Sequence, residues 1–274
     1  MLFFVILRCF CVVRRYKQGV LAVLRCQRFS KFQIDMLTTT RAIVLKTVKY
    51  GESQIIADLL TMSHGRLSFI QRIPRTSKAN VKKQLFQPMT LLDIVFDYRT
   101  RVNMLRIRDA SAVFPAVSVH SEPAKLTIAL FLAEFTSALT KYEQQNLPLF
   151  SFVEDSIRWL DATSASVANF HLVYMLHLSR FAGFFPNLDS RGRLFDLRAG
   201  AFSDSIPPHS DFLRGDEAER LRLLMRMDYA NMRFFRFSRG QRNRCIDIIM
   251  KYYGLHLPGF PDMKSLEVLR EVFA

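Results

Sequence analysis

Cysteine is nearly missing from the body of the chain. Of four cysteines, Cys9, Cys11 and Cys26 fall in the first 35 residues, and only Cys245 lies beyond them. That excludes a disulfide framework and suits a reducing cytoplasm. No Cys-x-x-Cys pair occurs, so there is no zinc ribbon. The six histidines are scattered. His171 and His177, six apart, fall on different faces of a helix and read as core-edge residues rather than ligands. Long apolar runs are also lacking. A membrane span needs about 20 mostly apolar residues, but Leu2–Leu7 and Phe10–Val13 are interrupted by Arg8 and end at Arg14 and Arg15. The sequence holds no Gly-x-x-x-x-Gly-Lys-Ser/Thr loop for a nucleotide, and its Ser, His, Asp and Cys positions suggest no catalytic triad. Hydrophobic content of 50% and aromatic content of 12% exclude disorder.

Carboxylates are scarce in the first part of the chain. Residues 1–35 carry net +6, residues 36–112 net +8 and residues 113–274 only +1, out of +15 overall. Such a charge needs an acidic partner: nucleic acid, an anionic membrane surface or an acidic protein tail. Its uneven placement divides the chain into a segment 1–35, a basic domain 36–114 and a nearly neutral domain 115–274. Segment 1–35 differs in composition from the rest, and its charges follow its apolar run, unlike a signal peptide. It is expected to be a dispensable extension, with Met36 opening the fold; the rival is a basic amphipathic membrane anchor.

Residues 36–114 read as strands. Arg41–Tyr50 is β-branched and aromatic, broken by Gly51-Glu52-Ser53. Gln54–Thr61 follows, then a Ser63-His64-Gly65 turn, then Arg66–Ile73, closed by Pro74. Gln87–Tyr98 and Val102–Phe114 add two more. Five strands in about 75 residues suit an OB-fold barrel. Between the third and fourth strands lie Arg72, Arg75, Lys78, Lys82 and Lys83 with no carboxylate among them, and Arg41, Lys46 and Arg66 sit on adjacent strands. These eight are the candidate nucleic-acid-binding residues, positioned to neutralise phosphates; a merely solvated basic loop is the plainer alternative. Asp93, Asp97 and Asp109 form the only carboxylate grouping that suggests a metal-dependent nuclease. Asp93 and Asp97 share a strand face about 13 Å apart, which favours a solvated face.

Residues 115–274 read as all-α. Pro123 opens a helix whose Ala124–Tyr142 stretch is apolar on most faces, the mark of a buried central helix. Leu149–Leu160, Val167–Ala182, Asp216–Asn231, Arg239–Tyr253 and Ser265–Phe273 follow, and Pro186–Pro208 is an irregular excursion. Within Met232–Arg244 three phenylalanines alternate with arginines. Either the cluster grips an acidic or stacked ligand, or its phenylalanines plug the core while its arginines face water.

Taken in order, these parts resemble the bacterial RecO family of DNA repair proteins. The features are Ala42-Ile43-Val44-Leu45, Tyr50-Gly51-Glu52, Thr61, Gly65 and the basic stretch from Arg72. Later come Arg180-Phe181-Ala182-Gly183-Phe184-Phe185-Pro186, Tyr252-Tyr253, His256 and Lys264-Ser265-Leu266-Glu267-Val268-Leu269. The resemblance covers residues 36–274. It implies an α+β protein, with an N-terminal OB-fold and a helical C-terminal domain. It also implies a cytoplasmic, nucleoid-associated recombination mediator that is not an enzyme and has no cofactor. Such proteins bind single- and double-stranded DNA and anneal complementary strands. They work with RecR and RecF, and help RecA load onto DNA coated by single-strand-binding protein (SSB). They also hold that protein's acidic, phenylalanine-ended tail, for which Arg239, Arg242 and Arg244 are the candidates here. Many relatives bind zinc through four cysteines after the Gly-x-x-Pro exit; Asn187–Phe212 has none, so that metal site has no ligands. A metal-dependent nuclease and an OB-fold RNA-binding protein are the competing functions.

Overall fold

The computed structural model describes residues 36–73, 83–99, 102–141 and 143–272. Both readings of residues 1–35 fall outside the described residues, as do the candidates Arg75, Lys78 and Lys82.

The run Ala42-Ile43-Val44-Leu45 is buried at all four positions, and the fold turns on it. It lies in the middle of a 15-residue strand, β1 (Met36–Tyr50). Successive side chains on a strand point to opposite faces. Ala42 and Val44 enter the barrel core with Leu59, Phe69, Ile94 and Phe96. Ile43 and Leu45 enter the core shared with the helices. An apolar run without alternation is what a strand covered on both sides requires. The first half of β1 pairs with β4 (Leu91–Tyr98) and the second half with β2 (Gln54–Thr61). The register shifts between Val44 and Lys46, and a bulge there lets one strand serve two neighbours. With β3 (Gly65–Arg72) and β5 (Ile107–Ala112) the antiparallel order is β3-β2-β1-β4-β5. The sheet's edges meet through Leu105. Its N–H donates to the Ser68 carbonyl at 3.0 Å, and its carbonyl accepts from Ile70 N–H at 2.9 Å. A five-stranded OB-like barrel results, as the strand pattern predicts. Residues 87–90 and 102–106, expected within strands, lie outside them: the first is a turn, and the second is an irregular segment whose Leu105 bridges to Phe69.

The helical part contains α1 (Val117–Ser121), α2 (Pro123–Leu139), α3 (Leu147–Ala162), α4 (Phe170–Leu178), α5 (Asp216–Met225), α6 (Arg239–His256) and α7 (Leu266–Val272). Pro123 does occupy the first turn of α2. The central helix is α4, buried at every position except His177, whereas α2 leaves Leu130 40% exposed. Buried tyrosines around α4 are satisfied: Tyr253 donates to the Met175 carbonyl at 2.7 Å, and Tyr174 and Thr136 share a hydrogen bond of 2.7 Å. Burial drives the imidazole of His171 down to about 3 and that of His177 to about 4, so both are neutral core groups near pH 7.

The all-α expectation for residues 115–274 needs correction. The excursion after Pro186 holds a three-stranded sheet, β6 (Leu194–Asp196), β7 (Ala201–Ser203) and β8 (Phe212–Leu213), in the order β7-β6-β8. It has no cysteines to anchor it. Phe195 and Phe202 pack edge-on at 4.9 Å, and Asp211 receives both Arg198 and Lys251. Strands of two or three residues are too short for a period-two pattern to be visible.

Candidate nucleic-acid interface

Beyond the bulge, among the described residues, no helix covers the outer face of β1, β2 and β3. Cross-strand pairing orders it into rows: Lys46 with Asp58 and Ser68; Val48 with Ile56 and Ile70; Tyr50 with Gln54 and Arg72. Directly opposite residues share a face, and successive rows lie about 7 Å apart. The middle row is therefore apolar, with a cation in the row on either side. Val48 is 46% exposed and Tyr50 54%. Lys46 and Arg72 are exposed, and so is Lys49 at the barrel's end. The Asp58 carboxylate opposite Lys46 is already engaged by Arg66 Nη2 at 2.7 Å and Ser68 Oγ at 2.5 Å. The β4–β5 loop adds exposed Val102, Met104 and Arg106 around a cavity of about 300 Å³. Lys83 begins a short 3₁₀ turn, Lys83–Phe86, whose Phe86 plugs the barrel core. Apolar and aromatic groups can stack bases while flanking cations neutralise phosphates. The outer face of strands two and three, with the loops flanking it, is where OB barrels take oligonucleotides.

Of the eight predicted DNA contacts, Lys46, Arg72 and Lys83 are exposed on or beside the barrel. Arg66 is not available. Its side chain is 16% exposed, and its guanidinium donates to Asp58 and, at 2.5 Å, to the Ser137 carbonyl on α2. Arg41 donates to both Glu154 oxygens, at 3.0 and 3.2 Å, and Glu154 also accepts from Arg158. These two arginines join the barrel to the helices. The sequence reading passed over Val48, Tyr50, Ile56, Ile70 and Arg106. For Val48 and Tyr50 the signal was present in their alternation with Lys46, three outward positions of one strand.

The three aspartates proposed for a nuclease do not converge. Asp93 lies 3.9 Å from Arg41, Asp97 accepts from Arg108, and Asp109 accepts from Ala110 N–H. Among the described residues no three His, Cys, Asp or Glu side chains are placed to hold a metal ion.

The arginines predicted to hold an acidic tail do not form one surface either. Arg239 is exposed, with one contact to the Arg270 carbonyl at 3.3 Å. Arg242 is half-buried and donates to the Phe237 carbonyl at 2.5 Å. Arg244 forks onto Glu217 of α5 at 2.6 and 3.3 Å, which holds the Glu217 carboxyl below its usual range. A helix advances 100° per residue, so position 244 faces away from 239 and 242. Phe235 and Phe237 pack on the core, but Phe234 is 70% exposed.

Comparison with known proteins gives matches across both halves. Residues 36–116 match the family described as "Recombination protein O N terminal", and residues 120–267 match "Recombination protein O C terminal". The chain is similar to DNA repair protein RecO of Phocaeicola vulgatus, 44% identical over 241 residues, which span 87% of this chain and 100% of that protein. DNA repair protein RecO of Bacteroides fragilis is 45% identical over the same shares. That of Flavobacterium psychrophilum is 32% identical over 242 residues, again 87% and 100%.

Proposed function

The chain belongs to the RecO family of DNA repair proteins, and on that basis we propose that it is a recombination mediator that grips single strands on the outer face of its barrel and anneals them. The observation that carries this is the outward row of exposed Val48 with half-buried Ile56 and Ile70, between Lys46 on one side and Tyr50 with Arg72 on the other. In this proposal Lys83, Arg75, Lys78 and Lys82 also pair with phosphates; Arg41 and Arg66 leave the set. The mediator has no catalytic step and no cofactor. It acts in the cytoplasm on the nucleoid, with RecR and RecF, and helps RecA onto strands coated by SSB. The acidic tail of SSB docks on the helical part; the exposure of Arg239 favours it over Arg242 and Arg244, which are held by Phe237 and Glu217. Among the described residues, no helix is long and apolar enough to cross a membrane.

Replacing Lys46, Arg72 and Lys83 together by alanine tests this. Annealing of complementary strands should slow and single-strand affinity should fall, while the thermal unfolding curve stays in place. Unchanged annealing overturns the proposal. Cleavage of labelled DNA on adding Mg²⁺ would favour a nuclease, and matched RNA displacing DNA at lower concentration would favour an RNA-binding barrel.

A further inference from the structure

Between the small sheet and α5 lies a cleft of about 500 Å³ whose wall includes Asp189, Arg191, Phe202, Arg222, Met225 and Arg226. Three guanidinium groups meet one carboxylate there. Arg222 is fixed: it donates to the Gly192 carbonyl at 2.5 Å and lies 4.1 Å above the Phe202 ring, with Glu219 at 3.6 Å. Arg191 and Arg226 are exposed, and neither pairs with a carboxylate among the described residues.

The loop carrying Arg191 is pinned to β7. Phe202 N–H donates to Ser190 Oγ at 2.8 Å, and Arg193 N–H to Asp204 at 3.1 Å. Gly192, at φ +142°, lies so close to Ser203 that a Cβ would come within 2.2 Å of its backbone. The cations are thus held on a rigid support rather than on a loose loop. Three guanidinium groups outnumber Asp189 in the wall and Glu219 beside Arg222, so the excess like charge repels itself, and an anion relieves that repulsion.

The lining favours one kind of anion. Phe202 and Met225 are buried, and Arg222 covers the Phe202 ring, so Leu188 at the rim is the half-exposed apolar contact. An acidic peptide that anchors through an apolar side chain finds little room. A phosphodiester chain needs no such anchor, and its oxygens match the guanidinium fork.

We propose that this cleft is a second nucleic-acid site gripping a phosphodiester backbone, so that one chain holds two strands at once, one here and one on the barrel face. This rests on the mediator reading above, and it supplies the second strand that annealing requires.

The test uses the full chain and two short non-complementary single strands, one labelled with a fluorescence donor and one with an acceptor. Energy transfer reports both strands on one molecule. Arg191→Glu/Arg226→Glu leaves the stapled Arg222 alone and alters exposed side chains; if its thermal unfolding shifts, Arg191→Gln/Arg226→Gln replaces it. Losing two phosphate contacts should raise the concentration needed for the second strand by roughly tenfold or more, with first-strand affinity within about threefold. Energy transfer at the parent's concentrations in the folded variant overturns the proposal, as does a parent that never binds a second strand. A polyglutamate peptide whose binding is lost in the variant, with energy transfer unaffected, also overturns it and assigns the cleft to an acidic protein. Failure of the barrel reading looks different: Lys46→Glu/Arg72→Glu would then bind its first strand as tightly as the parent.

Discussion

A methyl group at position 65 would sit 2.3 Å from the Gln144 carbonyl oxygen, and Gly65 itself has φ +69°. The β2–β3 turn is pressed onto the chain leaving α2, where Arg66 N–H donates to the Glu143 carbonyl at 3.1 Å. Gly65→Ala should therefore destabilise by about 1–3 kcal/mol from backbone strain alone, with the clash added, measured by urea unfolding. Arg244 is the opposite case. Its pair with Glu217 is half-exposed, so Arg244→Ala should cost less than about 1 kcal/mol and leave DNA affinity unchanged. The turn at Gly65 was legible in Ser63-His64-Gly65. The partners of Arg41 and Arg66 were not, because Glu154 lies 113 positions from Arg41 and the Ser137 carbonyl 71 from Arg66. A basic residue on a strand looks the same in sequence whether it meets a phosphate or a carboxylate of a distant helix.

Among elements, α7 depends on one carboxylate of α2. Glu134 accepts Lys264 N–H at 3.0 Å and Ser265 N–H at 2.9 Å, and the Ser265 hydroxyl at 2.5 Å. Burial alone raises its carboxyl; these hydrogen bonds outweigh burial and hold it below the usual value. A lowered folded-state pKa means stabilisation that is complete above the unfolded value and lost as pH falls through the folded one. The docking of α7 should accordingly weaken on acidification below the ordinary glutamate range. Hydrogen exchange of residues 266–272 at neutral and acid pH checks this, and Glu134→Gln should exchange faster and without that pH dependence. Alternation made the five barrel strands legible, and so did the apolar run at 42–45. The start of α6 is closed by a capping box of Ser238 and Gln241. The small sheet was not legible, nor was the shortening of α4 and α5. Helix ends there follow from packing against neighbours, which local propensity does not encode.

At the scale of the whole molecule, charge and shape are divided differently. Net charge changes near residue 112, yet the apolar core runs through from Ile43, Leu45, Leu60 and Leu91 into the helices. The barrel thus packs one side against the helices, while Lys46, Val48 and Tyr50 stay exposed on β1 beyond the bulge. The charge division was plain in the sequence, but which side stayed open depended on the bulge in β1 and the closure through Leu105. The most direct test is the slope of log K against log salt for single-stranded DNA, in the parent and two variants. If about five phosphates are contacted, the parent slope is near −3 to −4, and Lys46→Ala/Arg72→Ala makes it shallower by roughly 1.4. Tyr50→Ala should lose about 1–3 kcal/mol of affinity at every salt concentration and keep the parent slope, because stacking releases no counterions. A parent slope near zero would contradict the assignment of DNA to the barrel's outer face, as would a Lys46→Ala/Arg72→Ala slope equal to the parent's.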